Sequence, residues 1–276
     1  MKHTRVAGSF LALVLFALPA AAEFTRNIMI TGYWPNTNNM MRRFSNNPSQ
    51  NPSGWIGQNW EGSGYNIYAF FPEFPGQNGP EWGRGVGDFE VDYRDTMADW
   101  ARITGEVDPV AIMTFSRGNN DRSWEVESRN RNRSSWSPDY GGYQPGRVDQ
   151  SIAANAYRNS TLPMQDIVDS VRAANLGLNA YIDRSAAAGG TFLSEFIGYH
   201  GLWYQSMHSQ PSDANWCVAA GHVHVGIQVD VDTATRAMEI SLRELIAQVD
   251  ATIPTPGTAV IGAMGLSVLS VRRRRV

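Results

Sequence analysis

Between residues 27 and 249 short apolar runs alternate with segments of helical periodicity, and this alternation restricts the fold more than any other feature. Runs at 27–31, 65–71, 110–115, 178–182 and 218–225 are rich in β-branched, aromatic or small apolar residues, which predicts strands. Tyr93, Met97, Trp100 and Ala101 fall at i, i+4, i+7 and i+8, which predicts a helix ending at Gly105. Pro163 opens another helix, at a position where its missing N–H costs little. Its apolar face carries Met164, Ile167, Val168 and Val171. An aromatic-rich helix is predicted over 192–204 and a last one over 233–249. Residues 34–64, 72–87 and 116–150 are polar and lack a stripe, so they read as loops, with a short extended piece at 89–93. Strands and helices in alternation give an α/β sheet covered by helices on both faces. No repeat and no domain-sized linker interrupts it, so one domain is expected over 23–253.

The two ends read as addresses rather than fold. Lys2 and Arg5 precede an apolar run from Val6 to Leu18, and Ala20, Ala21 and Ala22 supply the small residues of a signal-peptidase site. At the other end, Pro254-Thr255-Pro256-Gly257 leads into an apolar stretch from Thr258 to Val271, followed by Arg272 to Arg275. That stretch is shorter than the roughly 20 residues of a full membrane span. The tail over 254–276 resembles the PEP-CTERM class of sorting tails. The resemblance implies transient membrane association, cutting by an exosortase-type enzyme, and delivery to the cell envelope or outside a bacterial cell.

The leader would remove two basic residues and the tail four, leaving 17 basic against 26 acidic residues, a net of −9. An acidic body argues against a nucleic-acid partner. Its bases are all arginine, because Lys2 lies in the leader, so lysine nucleophiles and Schiff bases are excluded from the body. With 42% hydrophobic residues the chain can build a core. The single cysteine, Cys217, excludes an internal disulfide and reads as a small buried hydrophobe.

Chemistry in an open α/β sheet collects where strands end and helices begin. Gly189 to Ser194 lead into a predicted helix, and a serine there sits near helix N–H groups suited to an anionic intermediate. His222 and His224, two apart on a predicted strand, share one face. Glu125 and Glu127 follow the 110–115 strand. Serine, histidine and glutamate can act as nucleophile, base and orienter. The histidines with Asp230 and Asp232 are the alternative metal reading, but a third ligand at a telling spacing is missing, and no metal or other cofactor is called for. Arg129, Arg131 and Arg133 read as partners for carboxylates such as Glu125 and Glu127. Trp55, Trp60, Trp82 and Trp136 are either loop packing or ligand contacts.

Several ordered motifs resemble pyroglutamyl peptidase I (pyrrolidone-carboxylate peptidase). Ile30-Thr31-Gly32-Tyr33-Trp34-Pro35 is similar to the family's Val-Thr-Gly-Phe-Glu-Pro opening. Residues 138–145 are similar to its Pro-Asp-Asn-x-Gly-x-Gln-Pro loop, and Ser160-Thr161-Leu162-Pro163 to its Ser-Thr-Leu-Pro helix start. Ala188 to Glu195 resemble Ala-Gly-Thr-Phe-x-Cys-Asn, and residues 221–226 resemble Gly-Phe-Ile-His-Val-Pro. The resemblance implies a three-layer α/β/α sandwich with a mostly parallel sheet. It also implies a peptidase acting at peptide N-termini through a Cys–His–Glu triad. By position the histidine is His224, the glutamate Glu125 (Glu127 if the gap is placed differently), and the nucleophile Ser194. Tyr33, Phe192 and Leu193 would line the substrate pocket.

The departures are chemical. Serine replaces the thiol, Gly226 replaces proline, Glu195 replaces the asparagine after the nucleophile, and Asn36, Thr37 and Asn38 replace a second aromatic and two glycines. A thiol with pKa about 8.5 can ionise beside an imidazolium, whereas a serine hydroxyl must lose its proton to a base during attack. Two readings follow: an exported peptide hydrolase using Ser194, His224 and Glu125, or an inactive envelope or secreted protein that binds peptides on the same fold. A homo-oligomer is compatible with either.

Overall fold

In the computed structural model of the chain, the described residues are 25–75, 83–185 and 190–253. The leader over 1–22, the tail over 254–276, Trp82 and Gly189 lie outside them. In chain order the strands are β1 (Asn27–Thr31), β2 (Asn66–Phe70), β3 (Pro72–Glu73), β4 (Val86–Gly87) and β5 (Ala111–Arg117). They continue with β6 (Ser123–Glu127), β7 (Arg129–Arg131), β8 (Tyr157–Asn159), β9 (Asn179–Asp183) and β10 (Ala219–Val225). The helices are α1 (Pro35–Met41), α2 (Tyr93–Val107), α3 (Met164–Ala173), α4 (Leu193–Met207) and α5 (Val231–Thr252).

A six-stranded sheet runs β2-β1-β5-β10-β6-β9. Every neighbouring pair in it is parallel except β10 with β6. Side chains alternate across each strand, so each face has its own core. Ile28, Ile30, Met113 and Val223 pack with Met40 and Met41 of α1, Ile167 and Val171 of α3, and Met238, Leu242 and Leu245 of α5. Met29, Ile112 and Ala220 pack on the other face with Trp100 and Ile103 of α2 and Phe196, Ile197 and Leu202 of α4. The expected α/β/α sandwich with a mostly parallel sheet is the observed architecture, and its buried strands carry the continuous apolar runs that such sheets require.

The loop readings of 34–64, 72–87 and 116–150 are corrected by α1, by the short β3 and β4, and by β6 and β7. α1 begins with Pro35 at a position that needs no N–H. Its polar residues are buried but satisfied: Asn38 donates to the Pro72 carbonyl at 2.7 Å, and Thr37 donates to the Trp34 carbonyl at 2.8 Å. β6 is a fully buried interior strand whose sequence, Ser-Trp-Glu-Val-Glu, places carboxylates where a core strand ordinarily has aliphatics. Smaller differences follow from local backbone. Phe89 has φ +55° and forms no strand, and α2 continues through Gly105 to Val107 because Asp108 takes the left-handed turn at φ +49°.

The segment from Asn132 to Tyr157 is tied to α4 through Asp149. Its carboxylate accepts from Arg158 at 2.5 Å and from the Tyr199 hydroxyl at 2.9 Å, and the Asn132 side chain bonds both backbone groups of Asp149. Burial alone would raise the Asp149 carboxyl, but hydrogen bonds from Ser151, Arg158 and Tyr199 outweigh it and hold the group at about 2. Asp149→Ala leaves Arg158 half-buried without its partner and should cost about 3–5 kcal/mol in urea unfolding at neutral pH. Because the folded pKa is depressed, the wild-type advantage should be present above the ordinary aspartate pKa of about 4 and disappear as pH falls toward 2.

Candidate active site

Five strands build a polar patch on the face that α4 covers. The register sets Thr31 beside Thr114 and Thr114 beside His222 in one row. The next row sets Ser116 beside His224, His224 beside Glu125, and Glu125 beside Tyr181. Met29, Ile112 and Ala220, two residues earlier on their strands, are apolar. The face therefore changes from apolar to polar toward the C-terminal ends of β1, β5 and β10, where open α/β sheets place their ligands.

β6 runs against β10 and brings two carboxylates to the His224 ring. His224 Nδ1 lies 3.0 Å from Glu127 and 4.0 Å from Glu125, and all three residues are buried. The nearer partner is thus Glu127. Glu125 instead accepts from Ser123 at 2.5 Å and from the Asn119 backbone and side chain at 3.3 and 3.1 Å. Glu127 also accepts from the Asn130 amide. Burial lowers the His224 pKa, but the charges of Glu127, Glu125 and Glu195 overcome this and leave it raised above its ordinary value. The next residue after Ser194, Glu195, faces the same cluster. Burial and the Glu127 charge push its carboxyl up to about 7, against hydrogen bonds from the Arg131 backbone and Asn130.

Sequence reasoning meets Asn130 only as the end of the Glu125 to Asn130 stretch that resembles the family's Glu-Arg-x-Ala-x-Asn spacing, and gives it no role. It lies on the inward face of β7 and touches both Glu127 and Glu195. A Cβ at Gly198 on α4 would stand 2.8 Å from the Asn130 amide, so glycine lets the helix settle onto this side chain. The alternation of Arg129, Asn130 and Arg131 also hints at an inward polar position. Arg129 and Arg131 lie over the Tyr157 ring at 4.3 and 4.8 Å, and the Arg131 backbone N–H donates to the Glu195 carboxylate.

Ser194 lies at the second position of α4, at the wall of a cavity of 460 Å³. Tyr33 and Trp34 after β1, Ser116 and Arg117 at the end of β5, and Phe192 and Leu193 at the start of α4 line it too. The expected pocket residues Tyr33, Phe192 and Leu193 are therefore together with Ser194. Trp34 of the opening motif, with Phe74 and Tyr140 from outside it, adds further rings. The cavity sits between β1 and β5, where the chain reverses its direction of travel across the sheet.

The other candidates are placed elsewhere. Asp230 caps α5 through the Thr233 N–H at 2.8 Å. Donor atoms of Glu127, His222 and His224 do come within 4.8 Å of one another. Both nitrogens of His222 are bonded to hydroxyls and His224 Nδ1 faces Glu127, so we assign no metal to the cluster. Cys217 is buried ahead of β10, and burial pushes its thiol far above the usual range, which makes it inert. Trp60 and Trp136 are core residues, and Trp55 stacks on Tyr68 at 4.8 Å. Gly226 donates to the Ser123 carbonyl at 2.9 Å, a bond that proline could not make.

No protein-family model matches the chain, and no curated protein does. Among solved structures it is similar to the pyrrolidone carboxyl peptidase of Thermococcus litoralis, with a TM-score of 0.58 and 17% identity over 83% of this chain and 99% of that one. It is also similar to a single-site mutant of the pyrrolidone carboxyl peptidase of Pyrococcus furiosus, with a TM-score of 0.57 and 15% identity over 81% and 99%. The likeness is one of fold, and it takes in nearly the whole of each of those chains.

The ion pair predicts a measurable coupling. Glu127→Gln should lower the His224 pKa, because burial is then less opposed, and Glu125→Gln should lower it less. Histidine-selective NMR titration reads both. In the native chain a raised pKa means that the pair stabilises fully below the ordinary value of 6.5 and less as pH rises through the folded value.

Proposed function

We propose that the chain is an exported peptide hydrolase that works at peptide N-termini, with Ser194 as nucleophile, His224 as its base and Glu127 as the group that orients His224. The observation that carries this reading is the Glu127–His224 pair at 3.0 Å on the face under α4, together with Ser194 at the wall of an aromatic cavity. In this reading Ser194 Oγ adds to the substrate carbonyl and its proton passes to His224. The leaving amine departs with that proton, and water then hydrolyses the acyl-serine. Backbone N–H groups in the first turn of α4 favour the oxyanion. Tyr33, Phe192 and Leu193, with Trp34, Phe74 and Tyr140, receive the N-terminal residue. Glu125 holds the turn after β5 through Asn119 and adds charge near His224.

Export rests on the basic leader over 1–22, and final release on the 254–276 tail. The partners are accordingly a signal peptidase, an exosortase-like enzyme and, transiently, the membrane. The acidic body supports the absence of a nucleic-acid partner.

A specific observation favours a second reading, an inactive peptide-binding protein on this fold. The carboxylates around His224 favour its cationic form, which suits a thiolate partner and not a serine hydroxyl. The two readings separate on residues 23–253 assayed with pyroglutamyl and aminoacyl fluorogenic amides. The enzyme reading expects turnover that climbs as pH rises through the raised His224 pKa, with that climb lost about 10²–10⁴-fold in Ser194→Ala. No turnover in the native chain, with activity appearing in Ser194→Cys, identifies the binding protein instead.

A further inference from the structure

The cavity has a second hydroxyl with its own imidazole. Ser116 Oγ lies 2.8 Å from His222 Nε2, and Thr114 Oγ1 lies 2.7 Å from His222 Nδ1. Thr114 also donates to the Gly221 carbonyl at 3.2 Å. A hydroxyl has one proton, so Thr114 spends it on Gly221 and accepts from His222 Nδ1–H. With Thr114 donating to Gly221, Nδ1 carries the ring proton and Nε2 accepts from the Ser116 hydroxyl. The reverse tautomer would leave the Gly221 contact unmade.

We propose that Ser116 and His222 form a second nucleophile–base pair on this cavity, held in register by Thr114 and able to cleave ester or amide carbonyls. The proposal shares with the preceding reading only the assumption that the cavity receives a carbonyl substrate. Ser116 Oγ adds to the carbonyl carbon while its proton moves to His222 Nε2. The leaving alcohol or amine takes that proton as its bond to carbon breaks. Water, deprotonated by the same nitrogen, then cleaves the Ser116 ester and regenerates the hydroxyl.

The surroundings favour this pair for oxygen chemistry. Ser116 and Arg117 both line the cavity, and Arg117 is exposed there beside the first turn of α4. Two charged groups face His222: the His224 ring, edge-on at 4.7 Å, and the Glu127 carboxylate. Burial, reinforced by His224, drives the His222 pKa well below its ordinary value, so its lone pair is present at neutral pH. His224 is shifted in the opposite direction.

The test is covalent labelling of the full chain at neutral pH with a fluorophosphonate, followed by peptide mapping. The expected adduct is on Ser116, retained in Ser194→Ala and absent in Ser116→Ala. His222→Gln should slow labelling of Ser116 about 10²-fold. Because His222 is buried, its variant counts only if circular dichroism shows a folded chain, while mapping of the native chain needs no variant. An adduct confined to Ser194 overturns the Ser116 site and leaves the Ser194 reading standing. An absence of any adduct on the native chain also overturns the Ser116 site, and the fluorogenic assay then judges Ser194 separately.

Discussion

The buried contact between Glu127 and His224 is the interaction around which the site is organised. A carboxylate taken out of water needs fixed partners, and Glu127 meets the His224 ring on one oxygen and a hydrogen bond from Asn130 on the other. Each partner constrains a different element. His224 fixes the register of β10 against β6, Asn130 brings in β7, and β7 in turn meets α4 through Gly198 and Glu195. The helix that presents Ser194 is therefore positioned partly by the group that sets the charge on His224. Packing and electrostatics share the same atoms here, which is why Glu195, one residue beyond Ser194, is shifted to about 7.

The two histidines of β10 show how finely one strand can divide chemistry. They are two residues apart, on one face, with rings at 4.7 Å. Burial and the neighbouring His224 charge hold His222 toward the neutral form, while carboxylates hold His224 toward the cation. Environments that push two titratable groups apart are how one scaffold supplies a proton acceptor and a charged group at the same pH.

Much of the fold is legible in the sequence because buried parallel strands and amphipathic helices have strong patterns. The apolar run of β1 matches its observed bounds, and β5, β9 and β10 differ from their expected bounds by one or two residues. β6 is not legible, for a physical reason: Glu125 and Glu127 occupy its inward positions, so the polar site erases the apolar signal that marks an interior strand. α1 is hidden because Asn36, Thr37, Asn38 and Asn39 suggest a loop, yet Thr37 and Asn38 are buried through side-chain bonds to backbone. The ordered motifs locate Tyr33, Phe192, Leu193, Ser194 and the His224 strand. They do not show that Glu127 is the nearer carboxylate, since spacing along β6 does not report a distance across to β10. Ser116 is invisible for a similar reason, because only the sheet register brings it to His222.

The order of strands in the sheet decides when the site comes into being. β10 lies between β5 and β6, although about a hundred residues of chain separate it from either. The turn joining β5 to β6 closes over its far end through Gly118, Ser123 and Asn119, which bond residues 225–227. Until β10 enters that slot, β5 and β6 lack their shared neighbour, Glu127 lacks its counter-charge, and neither histidine has a hydroxyl or carboxylate to meet. Closing so long a loop is an intrinsically slow step. The site is thus latent until β10, made about a hundred residues after β5, has entered the sheet.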